Sequence, residues 1–139
     1  MSDLLSLVHA HYDAMSSGDL DAATALFADD VETITPGGTL QGVAAFRALG
    51  EAFLTAVPDG HHDIVRTFED ENTIVVEGVY SGTQTGPLES PQGTLPASGN
   101  SFAFPYVDFL EVKDGKCVSH RIYWDNVTFL SQIGAIPAQ

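Results

Sequence analysis

Residues 101–126 read SFAFPYVDFLEVKDGKCVSHRIYWDN, and this stretch decides the fold because two strand-like runs flank Asp114-Gly115. An Asp-Gly pair supplies the positive backbone angles of a two-residue type I′ turn, so the stretch predicts a β-hairpin in which Lys113 pairs with Lys116. In that register one face mixes charge with aromatic carbon, since it carries three opposed pairs: Asp108 with Arg121, Tyr106 with Tyr123, and Phe104 with Asp125.

The opposite face of the predicted hairpin is mostly apolar and carries the pairs Val107 with Ile122, Phe109 with His120, and Pro105 with Trp124. Buried charges persist only when they are paired or used, so the mixed face predicts the wall of a ligand pocket. The apolar face would be exposed in a monomer, which predicts a homodimer formed through this outer sheet face. A β-bulge in either strand would shift the register by one residue and exchange the two faces.

The composition predicts one domain over residues 1–139, with enough chain for a core. The net charge of −14 argues against nucleic-acid binding and against anionic membrane surfaces, which both need basic patches. No apolar run approaches the ~18 residues of a membrane span. Residues 1–10 lack the basic region of a signal peptide, and Cys117 is the single cysteine, so we expect a cytoplasmic protein without disulfides.

The first part of the chain predicts three helices. Ser2 is placed to cap the first helix, whose apolar residues recur at helical spacing until Gly18. Asp19 begins the second helix, and Gly42 leads into the third. Between the second and third helices, residues 31–35 alternate like a short strand. Helices therefore come first along the chain.

From His61 onward the apolar period changes to two, which predicts strands at 62–69 and 73–83. Residues 86–101 are rich in Gly, Pro and Ser, and a loop of this length predicts a functional segment such as a lid. Helices followed by hairpin-connected strands predict an α+β fold, with three helices on a curved, mostly antiparallel sheet. The cavity between the two layers is the natural ligand site.

Three stretches together resemble the cone-shaped fold of the nuclear transport factor 2 superfamily: AHYDAMSSGDLDAATALFADDVETITPGG (10–38), VDFLEVKDGKCVSHRIYWDNVTF (107–129) and SQIGAIP (131–137). The first and last are similar to the SnoaL-like polyketide cyclase branch and its ester-cyclase relatives, and the middle one also resembles ketosteroid isomerase. The resemblance covers nearly the whole chain and implies a cone-shaped α+β barrel. It implies no single activity, because this scaffold hosts isomerases, dehydratases, cyclases, epoxide hydrolases and non-catalytic binders.

The resemblance to ketosteroid isomerase implies roles for three positions. In that enzyme a Tyr and a protonated Asp form the oxyanion hole, and a second Asp is the base. The resemblance places the Tyr at Tyr12 and the oxyanion Asp at Asp108, whereas the position of the base falls on Thr35. A threonine hydroxyl does not act as a base near neutral pH without help, so the resemblance argues against the unmodified isomerase mechanism.

The resemblance to SnoaL-like cyclases implies two further positions. Their acid/base is an Asp near the end of the final strand, and that position falls on Asp125. Ester cyclases often carry a His in a GTHTGPL-like stretch, which reads GTQTGPL at 82–88 of this chain. Gln84 therefore replaces the His, and its amide forms hydrogen bonds but cannot shuttle a proton.

Each candidate residue also has a structural interpretation. Asp125 is placed equally well to cap the C-terminal segment. Asp108 either donates to an oxyanion when protonated or pairs with Arg121, which would then stabilise an enolate as a fixed charge. Tyr12 either binds a substrate carbonyl or donates to a backbone group, and the two hairpin tyrosines leave the same choice open.

The five histidines lack the spacing of a metal site, and the chain has neither a GxSxG elbow nor a phosphate-binding glycine loop, so we expect no metal and no cofactor. We predict a cofactor-independent cyclase, isomerase or hydratase that acts on a small apolar carbonyl-bearing molecule. Its catalytic residues are predicted to be Asp125, Arg121, Tyr12 and Asp108. Its substrate contacts are predicted to come from Gln84, Tyr106, Tyr123, Phe104, Thr35 and Phe53. The alternatives are a non-catalytic binder of apolar ligands and a domain whose pocket is filled by side chains.

Overall fold

The computed structural model describes residues 2–90 and 93–137. Within them the chain forms four helices, α1 (Asp3–Ser17), α2 (Leu20–Ala25), α3 (Val43–Ala56) and α4 (Asn126–Gln132). The main sheet consists of β1 (Phe27–Thr35), β2 (Gly38–Gln41), β3 (His61–Asp70), β4 (Thr73–Thr83), β7 (Ser101–Lys113) and β8 (Lys116–Trp124). A separate two-stranded ribbon pairs β5 (Leu88–Ser90) with β6 (Gly93–Leu95).

The main sheet has the strand order β2-β1-β8-β7-β4-β3. β1 runs parallel to β8, and every other neighbouring pair is antiparallel. Helices α1 and α3 pack on one face, where they bury apolar side chains such as Val8, Phe46, Val76 and Leu110. The predicted α+β class, with helices on a mostly antiparallel sheet, is therefore confirmed.

The helix ends form where the sequence predicted them, because local hydrogen bonds satisfy the free backbone groups there. The Ser2 hydroxyl accepts from the Leu5 amide at 3.1 Å and caps α1. Gly18 ends α1 with a φ of 80°, a left-handed conformation that glycine adopts without steric cost. Asp19 caps α2 by accepting from the Ala22 amide at 3.0 Å.

The β7–β8 hairpin confirms the predicted turn but not the register beyond it. Lys113 pairs with Lys116, and both Asp114 and Gly115 have positive φ. One step further the pairing is interrupted, since Val112 opposes Cys117 while Glu111 opposes Ser119, which leaves Val118 as an extra residue in β8. Beyond this β-bulge every pair shifts by one, so that Asp108 opposes Ile122, Tyr106 opposes Trp124 and Phe109 opposes Arg121.

The bulge corrects the assignment of side chains to the two faces of β8. His120, Ile122 and Trp124 point inward, whereas Arg121 and Tyr123 point outward. The predicted ion pair between Asp108 and Arg121 is therefore wrong, because the two side chains lie on opposite faces of the sheet. Tyr123 is 45% exposed, so it does not contact the interior.

Asp125 lies at the start of α4 and caps this helix. Its carboxylate accepts from the Thr128 amide at 3.1 Å and from the Thr128 hydroxyl at 2.8 Å. These hydrogen bonds lower the pKa of Asp125. The side chain is solvent-exposed. The structure thus matches the capping interpretation of Asp125 and places its carboxylate outside the interior.

We predict that Asp125→Ala destabilises the protein by about 1 kcal/mol, because the first turn of α4 loses its cap. For a domain of this size we expect the Tm to fall by roughly 2–8 °C. Asp125→Asn is the matched control, since asparagine caps helices about as well as aspartate, and its Tm should stay close to that of the wild type. Thermal unfolding followed by circular dichroism measures both; an unchanged Tm for Asp125→Ala would contradict the capping role.

Candidate functional site

A pocket lies between the helices and the inner face of the sheet, with a cavity volume of about 80 Å³. Its lining is dominated by aromatic rings, contributed by Phe53 of α3, Tyr80 of β4, Phe104 and Tyr106 of β7, and Trp124 of β8. The Phe53 ring is nearly perpendicular to the rings of Tyr80 and Trp124, at centroid distances of 6.0 Å and 6.4 Å. Met15, Leu49 and Ile122 complete the apolar walls.

One end of the pocket is polar, where His62 of β3 and Tyr106 meet. His62 lies opposite Tyr80 in the sheet, and its ring packs against the ring of Tyr80 at a centroid distance of 4.5 Å and of Tyr106 at 5.5 Å. His62 Nδ1 and Tyr106 Oη are both buried; His62 Nδ1 has no hydrogen-bond partner among the described residues, whereas Tyr106 Oη lies close enough to the Tyr12 hydroxyl for a hydrogen bond between them to shift the pKa of both tyrosines. Buried polar atoms are normally paired, so the free His62 Nδ1, with the Tyr106 hydroxyl beside it, marks this end of the pocket as the place for a polar group of a ligand.

Glycine at position 78 makes the placement of Tyr106 possible. Gly78 lies opposite Tyr106 in the β4–β7 pair. A Cβ atom at residue 78 would lie 2.5 Å from Tyr106 Oη, closer than real Cβ contacts allow. The missing side chain therefore leaves the space into which the Tyr106 ring extends.

Behind the polar end lies a buried cluster around Asp108, which is 1% exposed. The Tyr12 hydroxyl donates to Asp108 Oδ2. Asp108 Oδ1 lies 2.5 Å from His120 Nε2. His120 Nδ1 in turn lies 3.3 Å from the hydroxyl of Thr33 on β1. The chain Tyr12–Asp108–His120–Thr33 thus links α1 to three adjacent strands.

The charge state of Asp108 follows from these contacts. Burial raises its pKa, but the combined effect of His120, the Tyr12 hydrogen bond and His11 is larger, so the pKa of Asp108 is lowered and the carboxylate is ionised at neutral pH. Burial and the nearby Asp108 charge raise the pKa of Tyr12 well above its ordinary value, so Tyr12 keeps its proton. Because an ionised Asp108 only accepts and Tyr12 donates to it, neither provides the predicted oxyanion-hole donor.

The two other histidines of the interior are uncharged at neutral pH. Burial is the main cause that lowers the pKa of His62 to about 4, and the neighbouring His11 adds to the effect. Burial likewise lowers the pKa of His11 to about 4. His11 Nδ1 lies 2.8 Å from the Ala23 carbonyl and therefore carries a hydrogen that it donates there. Burial also raises the pKa of Tyr106, so its hydroxyl remains a donor.

The structure brings some of the predicted site residues together. Phe53, Phe104 and Tyr106 line the pocket, where their contact with a substrate stays a prediction. Tyr12 and Asp108 lie behind the pocket as described above.

Thr35 is a correction, because it does not reach the pocket. It lies at the turn between β1 and β2, where it donates to the Gly38 carbonyl at 2.9 Å and accepts from the Gly37 amide at 3.1 Å.

Gln84 is a second correction, because it organises a loop instead of contacting the pocket. The side chain is fully buried, and its amide nitrogen donates to the carbonyls of Gly86 at 3.2 Å and Pro96 at 3.1 Å. Its amide oxygen accepts from the Ser98 amide at 3.3 Å. None of the described residues of the segment 86–101 lines the pocket, and residues 91 and 92 lie outside the described chain. The prediction of a lid at 86–101 therefore has no support.

Sequence reasoning missed His62 and His120 as site residues. The alternation of apolar residues in β3 could have indicated that His62 points inward, because it places His62 on the same face as Ile64. No sequence pattern indicated that His120 points inward, since its direction depends on the bulge at Val118. Among the described residues, no group of three or more His, Cys, Asp or Glu side chains has a geometry that could hold a metal ion.

Comparison with known proteins assigns the chain to a family by sequence. Residues 8–120 match the SnoaL-like domain family. No curated protein matches the chain in sequence. In the part of the chain that the structure describes, no helix combines the length and the apolar run that a membrane span needs.

Solved structures with the same fold include three representative cases. A candidate hydroxylase, AclR from Streptomyces galilaeus, is 19% identical with a TM-score of 0.84, over 97% of this chain and 83% of that one. A candidate polyketide cyclase from Xanthomonas campestris pv. campestris is 26% identical with a TM-score of 0.80, over 93% and 95%. A protein with a ketosteroid isomerase-like fold from Catenulispora acidiphila DSM 44928 is 22% identical with a TM-score of 0.75, over 92% of each chain.

We predict that stability falls as the pH is lowered from about 6.5 to about 4. The unfolded chain protonates His11 and His62 near the ordinary value of 6.5, whereas the folded chain does so only near 4. The unfolded state thus holds more protons in this range, so the free energy of unfolding decreases with falling pH, by up to about 1.4 kcal/mol per pH unit for each histidine.

Urea unfolding at pH 7, 6, 5 and 4.5 measures this slope. His62→Phe should reduce the slope by up to half, because one of the two titrating groups is removed. Tyr80→Phe alters the same wall without removing a group that titrates in this range, and it should keep the wild-type slope. Equal slopes for His62→Phe and the wild type would show that His62 is not the source.

Proposed function

For a chain that belongs to the SnoaL-like domain family, we propose the function of a cofactor-independent acid/base enzyme acting on a small apolar carbonyl compound. The observation that carries the proposal is that His62, whose buried Nδ1 has no hydrogen-bond partner among the described residues, and Tyr106 lie side by side at one end of an apolar pocket. A carbonyl group with an adjacent acidic C–H matches this pair, because it offers an acceptor to Tyr106 and a proton to His62. Similarity in fold to a candidate polyketide cyclase agrees with carbonyl chemistry.

In the proposed reaction His62 is the base and Tyr106 stabilises the enolate. His62 Nδ1 removes the proton from the carbon next to the carbonyl group, and the electron pair of the broken C–H bond forms the enolate. The developing negative charge on oxygen accepts a hydrogen bond from the Tyr106 hydroxyl in a water-poor site, where such a bond is strongest. The protonated His62 then returns its proton to another carbon, which gives an isomerisation, or to an alkoxide formed by ring closure.

The lowered pKa of His62 keeps the base unprotonated at neutral pH, while it also makes the imidazole a weaker base. A base with a pKa of about 4 is unprotonated, and so available, at every pH above about 5. The buried cluster supports the donor, because Asp108 holds the hydroxyl of Tyr12, and the Tyr12 ring packs 5.9 Å from that of Tyr106. Asp108 and Tyr12 are therefore positioning residues in this proposal, while Asp125 and Arg121 have no part in it.

A non-catalytic binder of small apolar ligands is the second candidate. It is favoured by the mutual saturation of Tyr12 and Asp108, which leaves no carboxylate facing the cavity. A binder would hold its ligand through the same Tyr106 and His62 groups without transferring a proton. Proton exchange of a bound ketone distinguishes the two functions.

We further propose that a second copy of the chain covers the outer face of the sheet. We define this outer face by Arg66, Phe68, Glu77, Val107, Phe109, Arg121 and Tyr123. Its side chains include Phe68, Phe109 and Tyr123, which are 60%, 37% and 45% exposed. Val107 and Phe109 were predicted for it from the sequence, whereas Ile122 and Trp124 were predicted for it and instead line the pocket.

The charges of the outer face favour a second copy of the same chain. The protein carries a net charge of −14, so most of its surface repels another copy. The outer face holds two of the five basic residues, Arg66 and Arg121, and Arg66 pairs with Glu77 at 2.7 Å. Because positive and negative charges offset each other on this aromatic surface, two acidic chains would associate there with the least electrostatic repulsion.

We predict that the protein catalyses exchange of the methyl protons of acetophenone with D₂O, which NMR follows directly. Replacing the base in His62→Phe should slow exchange about 10²–10⁴-fold, as loss of a general base does. Removing the donor in Tyr106→Phe should slow it about 10²–10³-fold. Asp125→Asn is the control and should exchange at the wild-type rate, since Asp125 is an exposed cap. Binding of acetophenone without exchange would support the non-catalytic binder.

We predict a homodimer at micromolar concentration, measured by sedimentation equilibrium. The double variant Phe109→Glu/Tyr123→Glu places four added carboxylates in the interface and should raise the dimer Kd by at least about 30-fold. Val127→Glu alters an exposed residue of α4 and should keep the wild-type Kd. A wild type that is still monomeric at about 50 µM would overturn this proposal.

A further inference from the structure

The pocket continues into a second, smaller cavity beside the polar end. This side chamber has a volume of about 20 Å³, and the residues that line it alone are Leu20, Leu54, Val57 and Gly60. It shares part of its wall with the main cavity, namely Met15, Gly50, Phe53, His62 and Tyr80. A cavity of this size holds one group about as large as a water molecule or a methyl group.

Gly50 lies where the main cavity and the side chamber adjoin. It is a buried residue in the interior of α3. Glycine weakens a helix interior relative to alanine, so its presence there has a cost that packing or function must explain. A Cβ atom at residue 50 would lie 3.2 Å from Leu20 Cδ2 and 3.8 Å from Met15 Cε, so a methyl group at residue 50 would occupy the junction.

We propose that Gly50 is a specificity-determining residue that keeps the side chamber open to a methyl-sized branch of the substrate. The branch is on the carbon next to the carbonyl group, because the side chamber borders His62, which the proposed function gives as the base for that carbon. The surrounding side chains of Leu20, Leu54 and Val57 make the chamber a better site for an alkyl group than for a charged one. The proposed substrate class is thus a small ketone with an alkyl-branched α-carbon.

This inference rests on the proposed function for the position of the carbonyl group, but the existence and control of the side chamber are tested separately. Acetophenone and propiophenone differ by one α-methyl group and serve as probes, with calorimetric Kd values. The wild type should bind propiophenone about fourfold more tightly or better, the gain expected for one buried methylene-sized group. Gly50→Ala should weaken propiophenone binding at least about tenfold and leave acetophenone binding within about twofold.

Two further variants show whether a loss of propiophenone binding in Gly50→Ala comes from a blocked side chamber or from a damaged fold. Leu20→Ala removes the atom that the new methyl group would approach, so Gly50→Ala/Leu20→Ala should restore propiophenone binding. Leu54→Phe fills the side chamber from its far wall, keeps Gly50, and should lose the preference for propiophenone as Gly50→Ala does. An unchanged preference in both Gly50→Ala and Leu54→Phe overturns the proposal.

Xenon tests the chambers without any assumption about the substrate. Crystals of the wild type under xenon pressure should show one site in each chamber, and crystals of Gly50→Ala should keep only the site in the main cavity. Xenon in the side chamber of Gly50→Ala contradicts the control by Gly50. If neither ketone binds the wild type while xenon behaves as expected, the proposed carbonyl chemistry fails and the control of the side chamber by Gly50 stands.

Discussion

The structure depends on a carboxylate buried beneath the pocket. Asp108 is almost inaccessible to water, and a charge in that position is tolerated only with close partners. Tyr12 donates to one of its oxygens, and His120 approaches the other at 2.5 Å. Helix α1 and strand β8 must therefore stay in register with β7. These contacts connect the helical layer to the sheet, and they fix the position of α1 over the sheet.

The extra residue Val118 makes this cluster possible. Without it, His120 would point to the outer face and Arg121 would lie opposite Asp108, as the uninterrupted hairpin predicts. The bulge thus exchanges a long, fully charged guanidinium for an imidazole that also contacts Thr33. It also turns Trp124 into the pocket and Tyr123 out of it. One unpaired residue therefore changes which side chains form the site, which is a general property of bulges near functional sites.

The sequence predicted those features whose causes are local. The caps at Ser2 and Asp19, the left-handed Gly18 and the Asp114-Gly115 turn each follow from the chemistry of a few adjacent residues, and each forms as expected. The bulge could not be predicted in this way, because the valine at 118 has no turn chemistry and its neighbours continue an ordinary alternation. The family resemblance placed Asp108 and Tyr12 correctly in the interior, but it could not show that they bind each other.

The difference between saturated and unsaturated polar groups explains where chemistry is available in this pocket. Tyr12 and Asp108 bind each other, so opening that contact for a substrate would leave a buried charge with one fewer partner. His62 Nδ1 has no such contact to lose, and the contact of Tyr106 with the Tyr12 hydroxyl involves no charge, so a ligand that binds both groups leaves the buried carboxylate with its partners.

Both groups are also neutral near pH 7, so no charge has to be desolvated when an apolar molecule enters the pocket. A site with neutral groups lining the pocket and an ionised carboxylate behind them is suited to the neutral substrate proposed above. This arrangement makes His62 and Tyr106 a better basis for the proposed function than Asp125, which is exposed and caps the helix that follows the final strand.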